Sequence, residues 1–200
     1  MIEVAVSKRV GAFSLEAEIS GGGFVCVAGR NGSGKTTLLR SIAGLTRSDG
    51  YVKVDGGDVS KLPPERRSIV MVTPASPMLH LDVDSHIMWG AKQSGVPVSG
   101  DRVKEIKSSL GIDFGGQVRR LSLGMKERVS LATALLSGRR VILVDEAFAN
   151  LHDKEAFMVV YKGLAKKAGA DVVFSSLDSS DGRMADHLFI IEDGKTKAAS

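Results

Sequence analysis

Apolar and polar residues alternate over Phe13, Leu15, Ala17 and Ile19 in "FSLEAEI", the period-two pattern of a strand with one buried face. "IEVAV" just before it reads the same way, and the two predict an antiparallel layer near the start of the chain. The pattern then changes. "GFVCVAG" is a continuous apolar run entering a glycine-rich loop, and "KTTLLRSIAG" reads as a helix stopped by Gly44. "YVKV" followed by "DGGD" has a strand-and-turn signature, and "RSIVMVTP" is a short buried strand ended by a proline.

From Asp82 to about Leu110 the apolar spacing becomes three and four residues, in "VDSHIMWGAKQSG" and "GDRVKEIKSSLG", which predicts helices. A further helix is expected at about 123–136, so that a helical subdomain spans about 78–136. After it come the buried strand "VILVD", a helix from Asp153 to Lys167, the strand "DVVFSS" and a last strand "HLFII" closed by the turn "EDGK". The tail "KTKAAS" reads as disorder-prone. Strands alternating with helices predict an α/β fold with a mainly parallel sheet covered on both faces. Residues 1–200 are expected to form one domain.

Composition narrows this picture. The chain has 200 residues, 43% hydrophobic and 25% charged, as in ordinary globular domains. No apolar run is long enough to cross a bilayer and no signal-peptide pattern opens the chain, so a cytoplasmic location is expected. The formal net charge of +4 comes from basic residues spread as isolated pairs, such as Arg66 with Arg67 and Arg139 with Arg140. A solvated surface is the expected result, with no direct nucleic-acid binding. The single cysteine, Cys26, sits among apolar neighbours and reads as a core thiol. His80, His86 and His187 have no metal-ligand spacing and read as surface or satisfied structural histidines.

The sharpest chemical signal is "GRNGSGKTT", Gly29 to Thr37, which matches the phosphate-loop pattern and lies between a buried strand and a helix. Gly29, Gly32 and Gly34 permit a tight loop, with Arg30, Asn31 and Ser33 between them, whose backbone N–H groups and helix N-terminus face phosphate oxygens. Lys35 brings positive charge to the terminal phosphates, and the Thr36 hydroxyl is a magnesium ligand. A bare glycine turn is the alternative. The second signal is "VILVDEAF", where two carboxylates follow a buried strand at its C-terminal end. Asp145 is suited to holding magnesium, and Glu146 to orienting and deprotonating an attacking water. An Asp-Glu pair after a strand is weak evidence alone, because helix N-termini favour acids; beside a phosphate loop the two motifs describe one site.

These motifs, in this order with a helical insert between them, resemble the nucleotide-binding subunit of ABC transporters over nearly the whole chain. The resemblance implies a P-loop NTPase core, ATP and Mg2+ as ligands, a second nucleotide-binding domain as partner, and a membrane permease on the cytoplasmic face. "RLSLGMKERVSLATALL" stands where the family carries its signature segment, usually Leu-Ser-Gly-Gly-Gln, which closes over the ATP held by a facing copy. Ser122 and Gly124 keep their places there, while Leu123 replaces a glycine and Met125 the glutamine.

Other family positions differ too. Thr73 stands where the Q-loop glutamine is usual, a candidate magnesium ligand whose shorter hydroxyl reaches less far toward the metal and the attacking water. His152 stands in the D-loop in place of aspartate, followed by Asp153. Leu177 stands where the family's switch histidine touches the γ-phosphate, and leucine makes no hydrogen bond. The adenine-stacking aromatic is replaced by Val10, with Phe13 as a substitute or a core strand residue. The groups that hold nucleotide are thus intact, and those that sense the γ-phosphate or act across a dimer are altered. Slow or partner-dependent hydrolysis is the leading expectation. An ATP-gated interaction module with little turnover is the alternative; a nucleic-acid maintenance ATPase and a P-loop kinase fit less well. Met78, Leu79, Ile87, Met88 and Trp89 serve equally as a docking groove for the permease or as subdomain core.

Overall fold

A computed structural model describes residues 1–199. Ten strands form one sheet: β1 (Ile2–Val10), β2 (Phe13–Gly21), β3 (Phe24–Ala28), β4 (Asp49–Val54), β5 (Gly57–Asp58), β6 (Ile69–Val72), β7 (Val141–Val144), β8 (Asp171–Ser176), β9 (His187–Glu192) and β10 (Lys195–Ala199). Their spatial order is β5-β4-β1-β2-β10-β9-β3-β8-β7-β6. The half running from β9 to β6 is parallel, and β1 pairs antiparallel with β2 and β4. The result is a mixed sheet whose parallel half matches the alternating strand-helix pattern.

Burial follows the sequence pattern. In β1 and β2 the alternate residues Ile2, Val4, Val6, Leu15, Ala17 and Ile19 are buried, whereas β3 and β7 are buried along their whole length, as parallel strands covered on both faces must be. One apolar cluster lies beneath α1 (Lys35–Ala43) and β1–β4. The other lies under α2 (Val83–Ser94), α3 (Gly100–Ser109), α4 (Leu123–Leu136) and α5 (Lys154–Lys167). Cys26 belongs to the second cluster, fully buried, and burial pushes its thiol pKa up to about 12. No helix among the described residues is long and apolar enough to cross a membrane.

Residues 195–199 correct the expectation of a disorder-prone tail; Ser200, the last residue of that tail, lies outside the described residues. Asp193 and Gly194 both have positive φ, 46° and 79°, the conformation a two-residue hairpin turn requires. The turn returns the chain as β10, antiparallel to β9. Thr196 Oγ1 then accepts from Glu18 N at 2.7 Å and donates to Glu18 O at 2.8 Å. This polar strand is the seam joining the N-terminal layer to the parallel half. A histidine also departs from expectation: His86 is 2% exposed, with Nδ1 bonded to Thr133 Oγ1 at 2.8 Å and Nε2 without a partner among the described residues.

α1 is anchored at its far end by an unusual group. Gly44, at φ 75°, donates to Ser41 O, and Leu45 N donates to Arg40 O at 2.9 Å, which closes the helix as a Schellman turn. The buried Arg67 guanidinium donates to Ser41 O at 3.2 Å and Ile42 O at 3.0 Å. Its positive charge meets the negative end of the helix dipole, so the helix that begins at the phosphate loop is fixed from behind.

Candidate functional site

The order β3-β8-β7 places the C-terminal end of β8 between the end of β3 and the end of β7. The glycine loop leaves β3 and the two carboxylates leave β7, so the site is assembled around β8. At Gly29 a Cβ would stand 2.3 Å from Ile191 O, and the loop passes β9 only because no side chain is there. Gly34 has φ 111°, a conformation open to glycine, and turns the chain into α1. Ser33 is buried, with its Oγ free of partners among the described residues.

Lys35 opens α1 and is 4% exposed. Its Nζ donates to Gly29 O at 2.8 Å and Arg30 O at 3.0 Å, tying the loop's entry to its exit. Burial lowers its pKa below the usual lysine range, and the charges of Glu146 and Asp145 oppose that shift. An ammonium partly stripped of water is a strong partner for a phosphate oxygen. Asn31, Gly32, Gly34, Lys35, Thr36 and Thr37 line one cleft with Phe13 and Glu146. A second cleft, on the other side of the loop, is walled by Gly29, Arg30, Ser33 and Leu177.

The carboxylates are held by specific bonds. Asp145 is 6% exposed, and its N–H makes the last ladder bond of the strand, to Val72 O at 2.8 Å. Ser175 Oγ donates to Asp145 Oδ1 at 2.8 Å and accepts from Glu146 N at 3.0 Å. Glu146 has φ 57°, a left-handed conformation that costs a side-chain-bearing residue about 1–2 kcal/mol. Thr36 and Glu146 face the same cleft, with Asp145 beside Glu146 in the chain. Among the described residues no group of three or more His, Cys, Asp or Glu is spaced to hold a metal alone. A hydroxyl, one carboxylate and phosphate oxygens are hard donors of the kind Mg2+ takes, so the residues fit that ion shared with a nucleotide.

Phe13 packs against the core, as a core strand residue does, its Cζ lies 2.8 Å from where a Gly34 Cβ would stand, and it also lines the cleft. Val10 is 50% exposed. Thr73 follows β6, in register beside Asp145, but its Oγ1 accepts from Ala75 N at 3.2 Å and pairs with Ser76 Oγ. Its hydroxyl serves a local turn, and Thr73 lines neither cleft. Ser122 caps α4, accepting from Met125 N at 3.3 Å. Gly124 lies against the segment after Glu146, where a Cβ would stand 3.1 Å from Asn150 O. Neither Ser122 nor Gly124 lines the phosphate-loop clefts.

Two networks went unread in the sequence. Ser176 Oγ donates to the buried Asp181, whose Oδ2 also meets Lys154 Nζ at 2.5 Å. This fastens the segment after Leu177 to the start of α5. Asn150 Nδ2 donates to Glu127 Oε1 at 2.8 Å, while Glu127 is 1% exposed and its Oε2 has no partner among the described residues. Burial raises the Glu127 pKa above the usual carboxylate range. A raised carboxyl contributes stability below its unfolded pKa and loses it as pH rises through the folded value. Glu127→Gln removes that loss, so its melting temperature should gain on the wild type as pH increases from about 5 to about 8. Parallel melting curves across that range would show that the buried charge is not felt.

Comparison with known proteins agrees with this geometry. The profile of the ABC transporter family matches residues 13–149. The molybdenum import ATP-binding protein ModC 2 of Azotobacter vinelandii is 32% identical over 219 aligned residues, covering 99% of this chain and 59% of that protein. The spermidine/putrescine import ATP-binding protein PotA of Thermobifida fusca is 30% identical, covering 91% of this chain and 50% of that protein. The chain thus spans between half and three-fifths of these relatives. Among solved structures, a dimeric post-hydrolysis state of the ATP-binding cassette MJ0796 with ADP and Pi superposes with TM-score 0.78 at 22% identity, over 99% of this chain and 98% of that one. An ATP-binding subunit of an ABC transporter gives TM-score 0.80 at 22% identity, over 98% and 89%. At that identity the structures establish the fold.

Proposed function

The chain belongs to the ABC transporter family, and from that premise we propose that it binds and hydrolyses ATP to drive a membrane permease made by another chain. One observation carries the reading: the phosphate loop and Glu146 share a single cleft, with Lys35 buried at its base. The N–H groups of the loop and the N-terminus of α1 receive the β- and γ-phosphates, and Lys35 leaves its two carbonyls for phosphate oxygens. Thr36 and Asp145 would hold Mg2+, which when bound neutralises phosphate charge. Glu146 orients a water for in-line attack and takes its proton. Phe13 offers its ring edge beside the loop. Ser122 and Gly124 lie apart from this cleft, which supports their acting on the nucleotide of a second copy, as their place in the family pattern implies.

The relatives named above are import subunits, which supports an import role at the cytoplasmic membrane face. On α2 and the segment before it, Ile87 is fully buried, whereas Leu79 and Trp89 are 50% and 42% exposed. The exposed pair, with Met78 and Met88, supplies an apolar surface for the permease. The test is ATP turnover by the purified chain with Mg2+ over a wide range of protein concentration. Turnover rising more steeply than protein concentration is expected of a site completed by a second copy. Strict proportionality is the result a self-sufficient monomer gives.

Leu177 supports a second reading, a nucleotide-gated module with little turnover. It is 53% exposed and walls both the cleft beside the loop and a small cavity beside Glu146, yet offers no polar atom to a γ-phosphate. Leu177→His is expected to raise turnover by ten- to a hundredfold, the scale of one charge-assisted hydrogen bond. An unchanged rate would place the limit elsewhere, with Leu123 the next residue to change.

A further inference from the structure

We infer that Ser175 is a positioning residue that sets both carboxylates with one hydroxyl, holding Asp145 for Mg2+ and Glu146 for the attacking water. This rests on the ATP-hydrolysing reading of the same site. Ser175 is the next-to-last residue of β8, the strand between the phosphate loop and the carboxylates, and is 4% exposed. Hydrogen-bond chemistry fixes the direction of both bonds. A carboxylate only accepts and a backbone N–H only donates, so the single Ser175 proton is committed to Asp145 Oδ1 and a lone pair to Glu146 N.

Two consequences follow from this. The bond to Oδ1 fixes the rotation of the Asp145 carboxyl group and leaves Oδ2 for a cation. The bond from Glu146 N anchors that residue in its left-handed conformation at φ 57°, which swings its side chain away from the line of β7 and toward Thr36 and Thr37. The neighbouring Ser176 does a different task, bonding Asp181, so the two serines are not interchangeable. Alanine at 175 leaves the Glu146 N–H without its acceptor and frees the Asp145 carboxyl group to rotate.

The experiment is a titration of the full chain with ATP, once with Mg2+ and once with EDTA, taking the ratio of the two dissociation constants. Outer partners of a metal-binding group typically govern metal affinity by about 10–100-fold. Ser175→Ala is therefore expected to lower the affinity gain given by Mg2+ at least tenfold, with ATP affinity in EDTA unchanged. Ser175→Thr keeps the hydroxyl and should retain the gain. At saturating Mg2+ the alanine variant should bind as the wild type does and still turn over more slowly, through Glu146. Should alanine fail to fold, Ser175→Cys replaces it, its weaker S–H donor giving an intermediate ratio. A wild-type ratio in the alanine or cysteine variant overturns the assignment. Equal loss of affinity with and without Mg2+ also overturns it, as that is the mark of a merely structural role. If the wild-type chain binds no ATP in either buffer, the nucleotide reading itself fails and the assignment falls with it.

Discussion

Glu146→Gln is expected to reduce Mg2+-dependent ATP turnover about 10²–10⁴-fold, the range a positioned general base contributes, while ATP affinity stays within a few fold. The two side chains have nearly the same shape, so the left-handed backbone at φ 57° and the bond from Glu146 N to Ser175 Oγ are kept. Only the capacity to accept a proton is lost. The affinity should be preserved because the phosphates are assigned to the loop and Lys35, not to Glu146. The neutral amide also removes a negative charge that acts on Lys35, so binding of a polyanion should, if anything, tighten slightly. Turnover and affinity are measured on the same preparation; a parallel loss of both would show that Glu146 supports the binding site and not the reaction.

Lys35→Ala is expected to have the opposite signature. Its Nζ now bridges Gly29 O and Arg30 O, so the change removes both the loop's internal tie and a cation buried at the base of the cleft. Hydrogen bonds to charged groups are worth about 1.5–3 kcal/mol, which corresponds to a loss of roughly 10–150-fold in ATP affinity. The Gly29 carbonyl loses its side-chain partner as well, while Arg30 O keeps its bond from Ser33 N at 3.2 Å, and the loop loosens. Lys35→Arg should not rescue binding, because a planar, larger guanidinium does not replace the compact point charge of a buried ammonium. Equilibrium titration with ATP reads the effect, and thermal melting separates it from a loss of fold.

Much of this architecture was legible because its signals are local. The alternation in β1 and β2, the unbroken apolar runs of β3 and β7, and the glycine loop between a strand and a helix each follow from backbone geometry over a few residues. The tail escaped for a physical reason. "KTKAAS" has no apolar face, since β10 lies with exposed residues and is held by ladder bonds and by Thr196 on Glu18. The Asp193-Gly194 turn was the available signal, for such a pair between strands marks a hairpin and so asks for a second arm.

At the site, the residues assigned to phosphate announce themselves by a fixed spacing. Those that position them do not. Ser175 reaches Asp145 and Glu146 only because β8 lies between β3 and β7, a neighbourhood set by the crossover order of the sheet. Lys154 and Asp181 meet for the same kind of reason, and Glu127 was hidden within a helix read for its signature residues. Thr73 shows the converse: its position along the chain pointed to magnesium, whereas its hydroxyl is engaged in the turn with Ala75 and Ser76.

The most direct test of the account is calorimetric titration of the full chain with ATP, ADP and AMP in the presence of Mg2+. On the proposed reading the Gly29–Thr37 loop and Lys35 grip terminal phosphates, while Val10 provides no aromatic stack for the base, so affinity should follow phosphate number. One ATP should bind per chain, ADP more weakly, and AMP not measurably. Binding of AMP as tight as that of ATP, or no binding of ATP at all, would contradict the assignment of this cleft as the phosphate site.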